Sequence, residues 1–191
     1  MLATDWLACS KVASDWLYKY TGVMKKAFVI NNGIDLNRFA YDKSFRKEIR
    51  QKHDIQEDAL VIGHVGRFDE VKNHKFLLEI FSEFLKIHPE AVLVCVGRGI
   101  LFDEIVGMVR DKVLERKVIF AGLQSEIYKY LSAFDYFVFP SLYEGLPVAL
   151  VEAQASGVMT ICSDAVSPES RLSDYLSFRS LNDTAESWAE Y

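Results

Sequence analysis

The chain has 191 residues, a formal net charge of −5 and 50% hydrophobic residues, which is an ordinary composition for a globular α/β domain. This apolar content excludes a disordered chain, and the acidic balance argues against a general nucleic-acid-binding protein. No apolar run approaches the ~20 residues of a membrane-spanning helix, and residues 1–11 lack the pattern of a secretory signal.

The first 25 residues predict one helix, over residues 10–20, with Ser10 as its N-cap. After them, short apolar runs rich in Val, Ile and Phe alternate with helical patterns. Most of these runs are apolar throughout, which is typical of parallel strands buried on both faces. The predicted strands are residues 27–31, 60–65, 91–96, 117–121, 136–139 and 158–162.

Three helices are predicted between these strands. The first follows Asn73, a suitable N-cap, and the second begins near Phe102. The third covers residues 125–134. This alternation predicts an open, doubly wound, Rossmann-like parallel sheet, whose ligands bind at the carboxyl ends of the strands.

The loop after residues 60–65 is the first candidate site. Gly66 allows a ligand to approach the backbone, and Arg67 and Lys72 bracket the start of the helix that follows Asn73. Two cations beside a helix N-terminus favour a diphosphate. The alternative is that both are ordinary side chains of a solvated loop.

Two other strand ends carry weaker signals. The segment Gly97-Arg98-Gly99 is a lone G-x-G, which fits a tight turn as well as a ligand loop. Gly122 and Leu123 indicate only a turn.

The strongest signal follows residues 136–139. Pro147 suits the first turn of a helix, so Glu144 lies just before that helix and Glu152 lies inside it. The amides of Gly145 and Leu146 would face a bound anion. The alternatives are a carboxylate that favours the helix dipole and a solvent-facing helix residue.

This order of motifs resembles the family 4 retaining glycosyltransferases of the two-domain GT-B type. The shared blocks include a pair of glutamates spaced as E-x7-E, at Glu144 and Glu152. The other blocks are residues 32–35, Gly66-Arg67 with Lys72, and residues 96–99, 120–122, 155–157 and 163–164. The resemblance implies that residues 1–25 end a preceding domain. Residues 26–191 would then be a carboxy-terminal donor-binding domain, cut short at its carboxyl end.

The resemblance also assigns roles. It implies a catalytic set of Glu144, Arg67 and Lys72, with the two cations on the donor diphosphate and Glu144 on the transferred sugar. Glu152 would hold the ribose, and the remaining donor-binding positions are Gly66, Leu123, Gly145, Leu146 and Pro147. No metal or separate cofactor is expected, because the nucleotide-sugar donor, expected to be a UDP-sugar, is a substrate.

The implied acceptor is a saccharide or a lipid-linked saccharide, bound through the amino-terminal domain. Residues 163–169 resemble a subgroup that makes capsular polysaccharide or exopolysaccharide. We therefore expect a cytoplasmic protein that can associate with the inner face of a membrane. The cysteines, Cys9, Cys95 and Cys162, lack metal spacing and are expected to be buried, reduced thiols. The four histidines, His53, His64, His74 and His88, are expected to be packed or solvated rather than catalytic.

Three rival functions remain open. Glu144 and Glu152 would serve a retaining glycosidase if both carboxylates faced one sugar, ~5–5.5 Å apart. A domain that binds a nucleotide sugar without catalysis fits the same motifs. A nicotinamide-dependent oxidoreductase has only Gly97 and Gly99 in its favour.

Overall fold

The computed structural model describes residues 5–21 and 27–191. Two short parallel strands, β1 (Leu7–Ala8) and β2 (Phe28–Val29), pair with each other outside the main sheet. The main sheet has six parallel strands: β3 (Val61–Val65), β4 (Val92–Val96), β5 (Val118–Gly122), β6 (Tyr136–Phe139), β7 (Met159–Ser163) and β8 (Leu176–Arg179).

Helices connect these strands in chain order. They are α1 (Lys11–Thr21), α2 (Leu36–Phe39), α3 (Lys43–Lys52), α4 (His74–Ile87), α5 (Phe102–Asp111), α6 (Ile127–Ala133), α7 (Val148–Ser156) and α8 (Ala185–Ala189). In the part of the chain that the structure describes, no helix has both the length and the apolar character that a membrane crossing requires.

The core lies on both faces of the main sheet. Phe137 and Phe139 of β6 belong to one buried cluster, with Leu150 of α7, whereas Val138 belongs to the other, with Phe81 of α4. Because alternate residues of a strand point to opposite faces, a strand covered on both sides is apolar throughout. The predicted doubly wound parallel sheet is therefore confirmed.

The strand order is β5-β4-β3-β6-β7-β8, so the chain builds outward from β3 in one direction and from β6 in the other. Ligands of such sheets bind at the carboxyl ends of the two strands where the order reverses. The loops that leave β3 and β6, residues 66–73 and 140–147, lie side by side at this point.

Some predicted elements were wrong or incomplete. The strand predicted at residues 27–31 is observed only as β2, and it pairs with β1 instead of joining the main sheet. Strand β8 and helix α3 were not predicted. Asn73 precedes α4 in a left-handed conformation, without a capping hydrogen bond from its side chain. The predicted helix at residues 10–20 is confirmed as α1, and Ser10 Oγ accepts a hydrogen bond from the Ala13 amide. The predicted domain boundary between residues 25 and 26 lies outside the described residues.

Candidate functional site

The loop after β3 is held in shape by its own side chains. The Asp69 carboxylate accepts hydrogen bonds from the Lys72 amide (3.2 Å) and from Arg67 Nε (2.7 Å). Asn73, at φ 54°, donates from Nδ2 to the Pro140 carbonyl (3.1 Å). The first contact caps the turn Glu70–Lys72, the second orients the Arg67 side chain, and the third ties this loop to the loop after β6.

An ion pair joins the same two loops. The Lys72 ammonium lies 2.5 Å from Glu144 Oε1 and 4.5 Å from the centre of the Phe139 ring. The two charged side chains are only 16% and 21% exposed. The Leu142 amide also donates to the Val71 carbonyl (2.8 Å), so backbone and side chains hold these loops together.

A cavity of about 640 Å³ opens over this ion pair. It is lined by Arg67, Asp69, Val71, Lys72, Tyr143, Glu144 and Gly145. The Arg67 side chain is 78% exposed at its rim, so a ligand could reach both cations from solvent. The lining therefore carries two cations, Arg67 and Lys72, and two carboxylates, Asp69 and Glu144, and each cation contacts one carboxylate. Such a cavity suits a ligand whose anionic groups and hydroxyl groups can take over these contacts.

A larger hollow of about 930 Å³ lies where the main-sheet strands begin, near Leu60, Tyr136 and Val158. Its charged lining residues are Arg46 and Asp135, which bind each other at 2.7 Å. None of the predicted catalytic or donor-binding residues lines this hollow, and it lies at the opposite end of the strands from their carboxyl ends, where ligands of such sheets bind. We therefore place the chemistry at the smaller cavity.

The Glu144 backbone is fixed from the other side by the segment after β7. Glu144 forms a parallel bridge with Val166, and its carbonyl accepts from the Ser167 amide (3.0 Å). Ser163 Oγ donates to the Ser141 carbonyl. The segment of residues 163–169 thus supports the backbone of Glu144.

Helix α7 begins directly after the loop that carries Glu144. Pro147 occupies the N-cap position without a side-chain hydrogen bond, one residue earlier than the sequence predicted, and the first turn of α7 has no acidic residue. Uncapped helix amides attract anions. Gly145 lines the cavity, and Leu146 and Pro147 connect it to α7.

Glu152 is half-buried in α7 and is not one of the residues that line the cavity over Lys72. Burial raises the pKa of its carboxyl group, and the nearby Arg38 guanidinium partly opposes this shift. The Glu152 carboxylate is therefore partly shielded from water rather than fully solvated.

Leu123 lies at the carboxyl end of β5, two strands away from β3, and its side chain is 78% exposed. It does not line the cavity over Lys72. The structure therefore brings Arg67, Lys72, Glu144 and Gly145 together, and leaves Leu123 and Glu152 outside their cavity.

The segment Gly97-Arg98-Gly99 supports the loop after β3. A Cβ on Gly97 would lie 2.0 Å from the Gly66 carbonyl oxygen, and one on Gly99 would lie 2.3 Å from that of Phe68. These glycines are explained by close backbone packing. Of the two alternatives left open by the sequence, the turn is the one that the geometry supports.

Sequence reasoning missed Asp69, Tyr143 and the support from Val166 and Ser167. Asp69 had a readable signal, because an aspartate directly before a short helical turn is a common N-cap. The other contacts depend on which strands are neighbours, which no local pattern reveals.

Comparison with known proteins identifies the family. Residues 45–177 match the family model described as "Glycosyl transferases group 1". The putative glycosyltransferase EpsF of Bacillus subtilis is 40% identical over 190 residues, which are 98% of this chain and 50% of EpsF. The UDP-Gal:alpha-D-GlcNAc-diphosphoundecaprenol alpha-1,3-galactosyltransferase of Escherichia coli is 32% identical over 143 residues, 73% of this chain and 37% of that protein.

A solved structure shares the fold. Anabaena HepE, crystallised in complex with UDP and glucose, superposes with a TM-score of 0.86 at 20% identity, over 99% of this chain and 52% of HepE. The α/β fold is thus that of a Rossmann-like domain of the GT-B glycosyltransferases. The chain spans about half the length of EpsF and HepE. Since the family model matches most of its residues, and EpsF matches nearly all of them, this chain belongs to the group 1 glycosyl transferases.

Proposed function

We propose that this chain is the donor-binding domain of a retaining, family 4 glycosyltransferase, and that its donor is a UDP-sugar. The observation that carries the proposal is the Lys72–Glu144 pair inside a cavity at the point where the strand order reverses. A cation for phosphate and a carboxylate for sugar hydroxyls, side by side, match the two halves of a nucleotide sugar.

The phosphate side of the site is formed by Lys72, Arg67 and the uncapped end of α7. Departure of a nucleoside diphosphate builds negative charge on the phosphate that leaves the sugar. Positioned cations and amides stabilise such charge most strongly where water is partly excluded. We propose that these groups act without a metal ion, and that Gly66 lets the phosphate approach the backbone.

The sugar side is formed by Glu144 and the backbone of residues 145–147. Lys72 is paired with Glu144. A bound diphosphate would compete for the ammonium, and the Glu144 carboxylate could then accept hydrogen bonds from the hydroxyls of the transferred sugar. Donor binding thus exchanges one ion pair for another, which limits the desolvation cost at Lys72.

The nucleoside would extend from the diphosphate along α7, with its ribose at Glu152 and its base near Leu123. A half-buried carboxylate is a strong acceptor for a diol, because hydrogen bonds to charged groups are stronger than neutral ones. UDP is the nucleotide bound in the HepE structure, and the Escherichia coli relative is named for UDP-Gal.

The acceptor is proposed to be a saccharide or a lipid-linked saccharide, held by a second domain. The Escherichia coli relative is named for an acceptor linked to diphosphoundecaprenol, and another relative is named for capsular polysaccharide biosynthesis in Staphylococcus aureus. We therefore propose a role in polysaccharide synthesis in the cytoplasm, at the inner face of a membrane.

The rival functions fit the geometry less well. A glycosidase needs two carboxylates facing one sugar, whereas Glu144 is paired with Lys72 and Glu152 lies outside the cavity. An oxidoreductase would use Gly97 and Gly99 for a cofactor, but both pack against the loop after β3. A domain that binds the donor without catalysis remains the second candidate, because the cavity contains the groups for binding.

Calorimetric titration of the chain with UDP, GDP, ADP and UMP tests the proposal. We expect saturable binding of UDP, with weaker binding of UMP, because UMP lacks the second phosphate for Lys72. If no nucleoside diphosphate binds at millimolar concentration, the proposal is wrong. Turnover of UDP-sugars with saccharide acceptors then separates an active domain from a binding domain.

A further inference from the structure

The two strands at the centre of the sheet separate before they end. β3 and β4 are paired at every position from Val61 to Val65, whereas β3 and β6 are paired only at Ile62–Tyr136 and Gly63–Phe137. Beyond this point β3 and β6 are not paired within the described residues, and we call this interruption the gap between β3 and β6. The gap lies directly below the loops that carry Lys72 and Glu144.

The imidazole of His64 fills this gap. The side chain is fully buried, and its Nδ1 lies 2.9 Å from the Val138 carbonyl oxygen. A carbonyl only accepts hydrogen bonds, so Nδ1 carries the proton and Nε2 of the neutral ring carries a lone pair. Nε2 is buried and has no hydrogen-bond partner within the described residues.

The other edge of this ring contacts the Gly66 turn. A Cβ built on Gly66 would lie 2.9 Å from His64 Nε2 and 3.2 Å from both Cγ and Cδ of Lys72. Gly66 is thus enclosed by the imidazole on one side and by the aliphatic stem of Lys72 on the other. A shift of the imidazole would therefore move Gly66, and the moved Gly66 would displace the aliphatic stem of Lys72.

His74 and Phe68 close the gap from the side of α4. The His74 ring meets His64 edge to face at 4.7 Å and stacks on Phe68 at 4.0 Å. Burial lowers the pKa of both histidines, and Lys72 lowers them further. The rings are therefore uncharged at neutral pH and do not repel the Lys72 ammonium above them.

We propose that His64 is a positioning residue for Lys72: hydrogen-bonded to Val138, its neutral ring fills the gap between β3 and β6 and supports the Gly66 turn on which the Lys72 stem packs. The ring thereby fixes the ammonium beside Glu144. The inference rests on the proposed function in one respect: the position of Lys72 affects binding only if Lys72 holds the diphosphate. A phenylalanine would leave the Val138 carbonyl without a donor, whereas a histidine supplies one.

A double-mutant cycle tests whether His64 acts through Lys72. His64→Asn keeps an amide donor near the position of Nδ1 but removes the part of the ring that touches Gly66. We expect it to weaken UDP binding about fivefold, which is within the usual range for residues that are coupled through a shared backbone position. In a Lys72→Met background the same change should alter the UDP dissociation constant less than twofold. Equal effects in both backgrounds would contradict the proposal.

Ile80→Val is the matched control, because it removes one buried methyl group from the same side of the sheet without touching Gly66. It should leave UDP binding unchanged. All constants are measured where circular dichroism shows each variant to be folded. If His64→Asn does not fold, NMR of the imidazole nitrogens in the unmodified protein decides: a neutral ring protonated at Nδ1 at pH 6 supports the proposal, and any other state contradicts it.

A crystal structure of His64→Asn separates this inference from the proposed function. If the unmodified chain does not bind UDP, the proposed function fails, but the positioning role is still decided by the distance from Lys72 Nζ to Glu144 Oε1. Loss of that contact supports the positioning role, and a contact kept within 4 Å contradicts it.

Discussion

Lys72 and Glu144 are 72 positions apart in the sequence, and their charged atoms lie 2.5 Å apart in the fold. The contact exists because β3 and β6 are neighbours at the centre of the sheet, so the loops that follow them start from the same edge. Both side chains are mostly shielded from water, and the cost of desolvating two charges in such surroundings can exceed their mutual attraction. A diphosphate would replace the Glu144 carboxylate as the partner of this partly desolvated lysine.

Gly66→Ala tests the packing below Lys72. The new methyl group would press on the Lys72 stem and on His64, so we expect the ammonium to shift and UDP affinity to fall about tenfold, roughly the loss of one charged hydrogen bond. Calorimetry measures the affinity. Gly107→Ala in α5 is the matched control, because a Cβ built there meets no atom within 4 Å among the described residues, apart from the backbone of its own helix. It should raise stability by up to about 1 kcal/mol and leave UDP affinity unchanged. Unchanged affinity in Gly66→Ala would contradict the packing argument.

Glu152→Gln should improve stability and impair binding. The pKa of this carboxyl group is raised above its ordinary value of 4.5. Its ionised form therefore destabilises the fold at neutral pH, and the penalty disappears as the pH falls below 4.5. We expect a higher melting temperature than that of the unmodified protein at pH 7, and no difference near pH 4.

The same variant should bind UDP about tenfold more weakly, because the proposed contact with the ribose would lose its charged acceptor. Asp183→Asn, at a partly exposed carboxylate beyond β8 that lies 4.0 Å from Arg179, is the control for loss of a negative charge. If the variant is more stable but binds UDP as tightly as the unmodified protein, the proposal that Glu152 holds the ribose is wrong.

The buried histidines predict a loss of stability in acid. The pKa of His74 is lowered from 6.5 to about 4, mainly by burial and also by Lys72, and that of His64 is lowered too. A histidine with a lowered folded-state pKa stabilises the fold fully above pH 6.5, and this stabilisation is lost as the pH falls toward 4. The slope is at most about 1.4 kcal/mol per pH unit for each ring.

His74→Leu should flatten this slope between pH 6.5 and 4, as measured by urea unfolding at a series of pH values. His64 still titrates in the variant, so part of the slope remains. Phe81→Leu, in the same helix, should lower stability at every pH and leave the slope unchanged. An unchanged slope in His74→Leu would show that this ring is charged or exposed in the folded protein.

Much of the fold was predictable because its strands are buried on both faces. Runs such as Val61–Val65 and Val92–Val96 are mostly apolar, which indicates burial on both faces, and glycines or prolines mark where such runs end. Helix α3 was not predictable in this way. It is mostly charged, and its buried Arg50 binds Asp135, which is 85 residues away in sequence.

The candidate site was predictable at the level of loops but not of contacts. Gly66, Lys72 and Glu144 carry local signals, whereas the support from Val166 and the role of His64 depend on strands that pair or separate in space. Strand β8 has a mixed composition because it is a half-buried edge strand, so its sequence, Leu176–Arg179, lacks the apolar run that marks the others.

The most direct test of the account is calorimetric titration of UDP into three proteins: the unmodified chain, Lys72→Met and Lys75→Met. Lys75 provides the matched control, because it is an exposed lysine of α4 whose partner is Glu104. We predict that Lys72→Met weakens UDP binding at least about tenfold and that Lys75→Met leaves it unchanged. Equal affinity of the unmodified chain and Lys72→Met for UDP would contradict the central claim that this lysine holds the diphosphate.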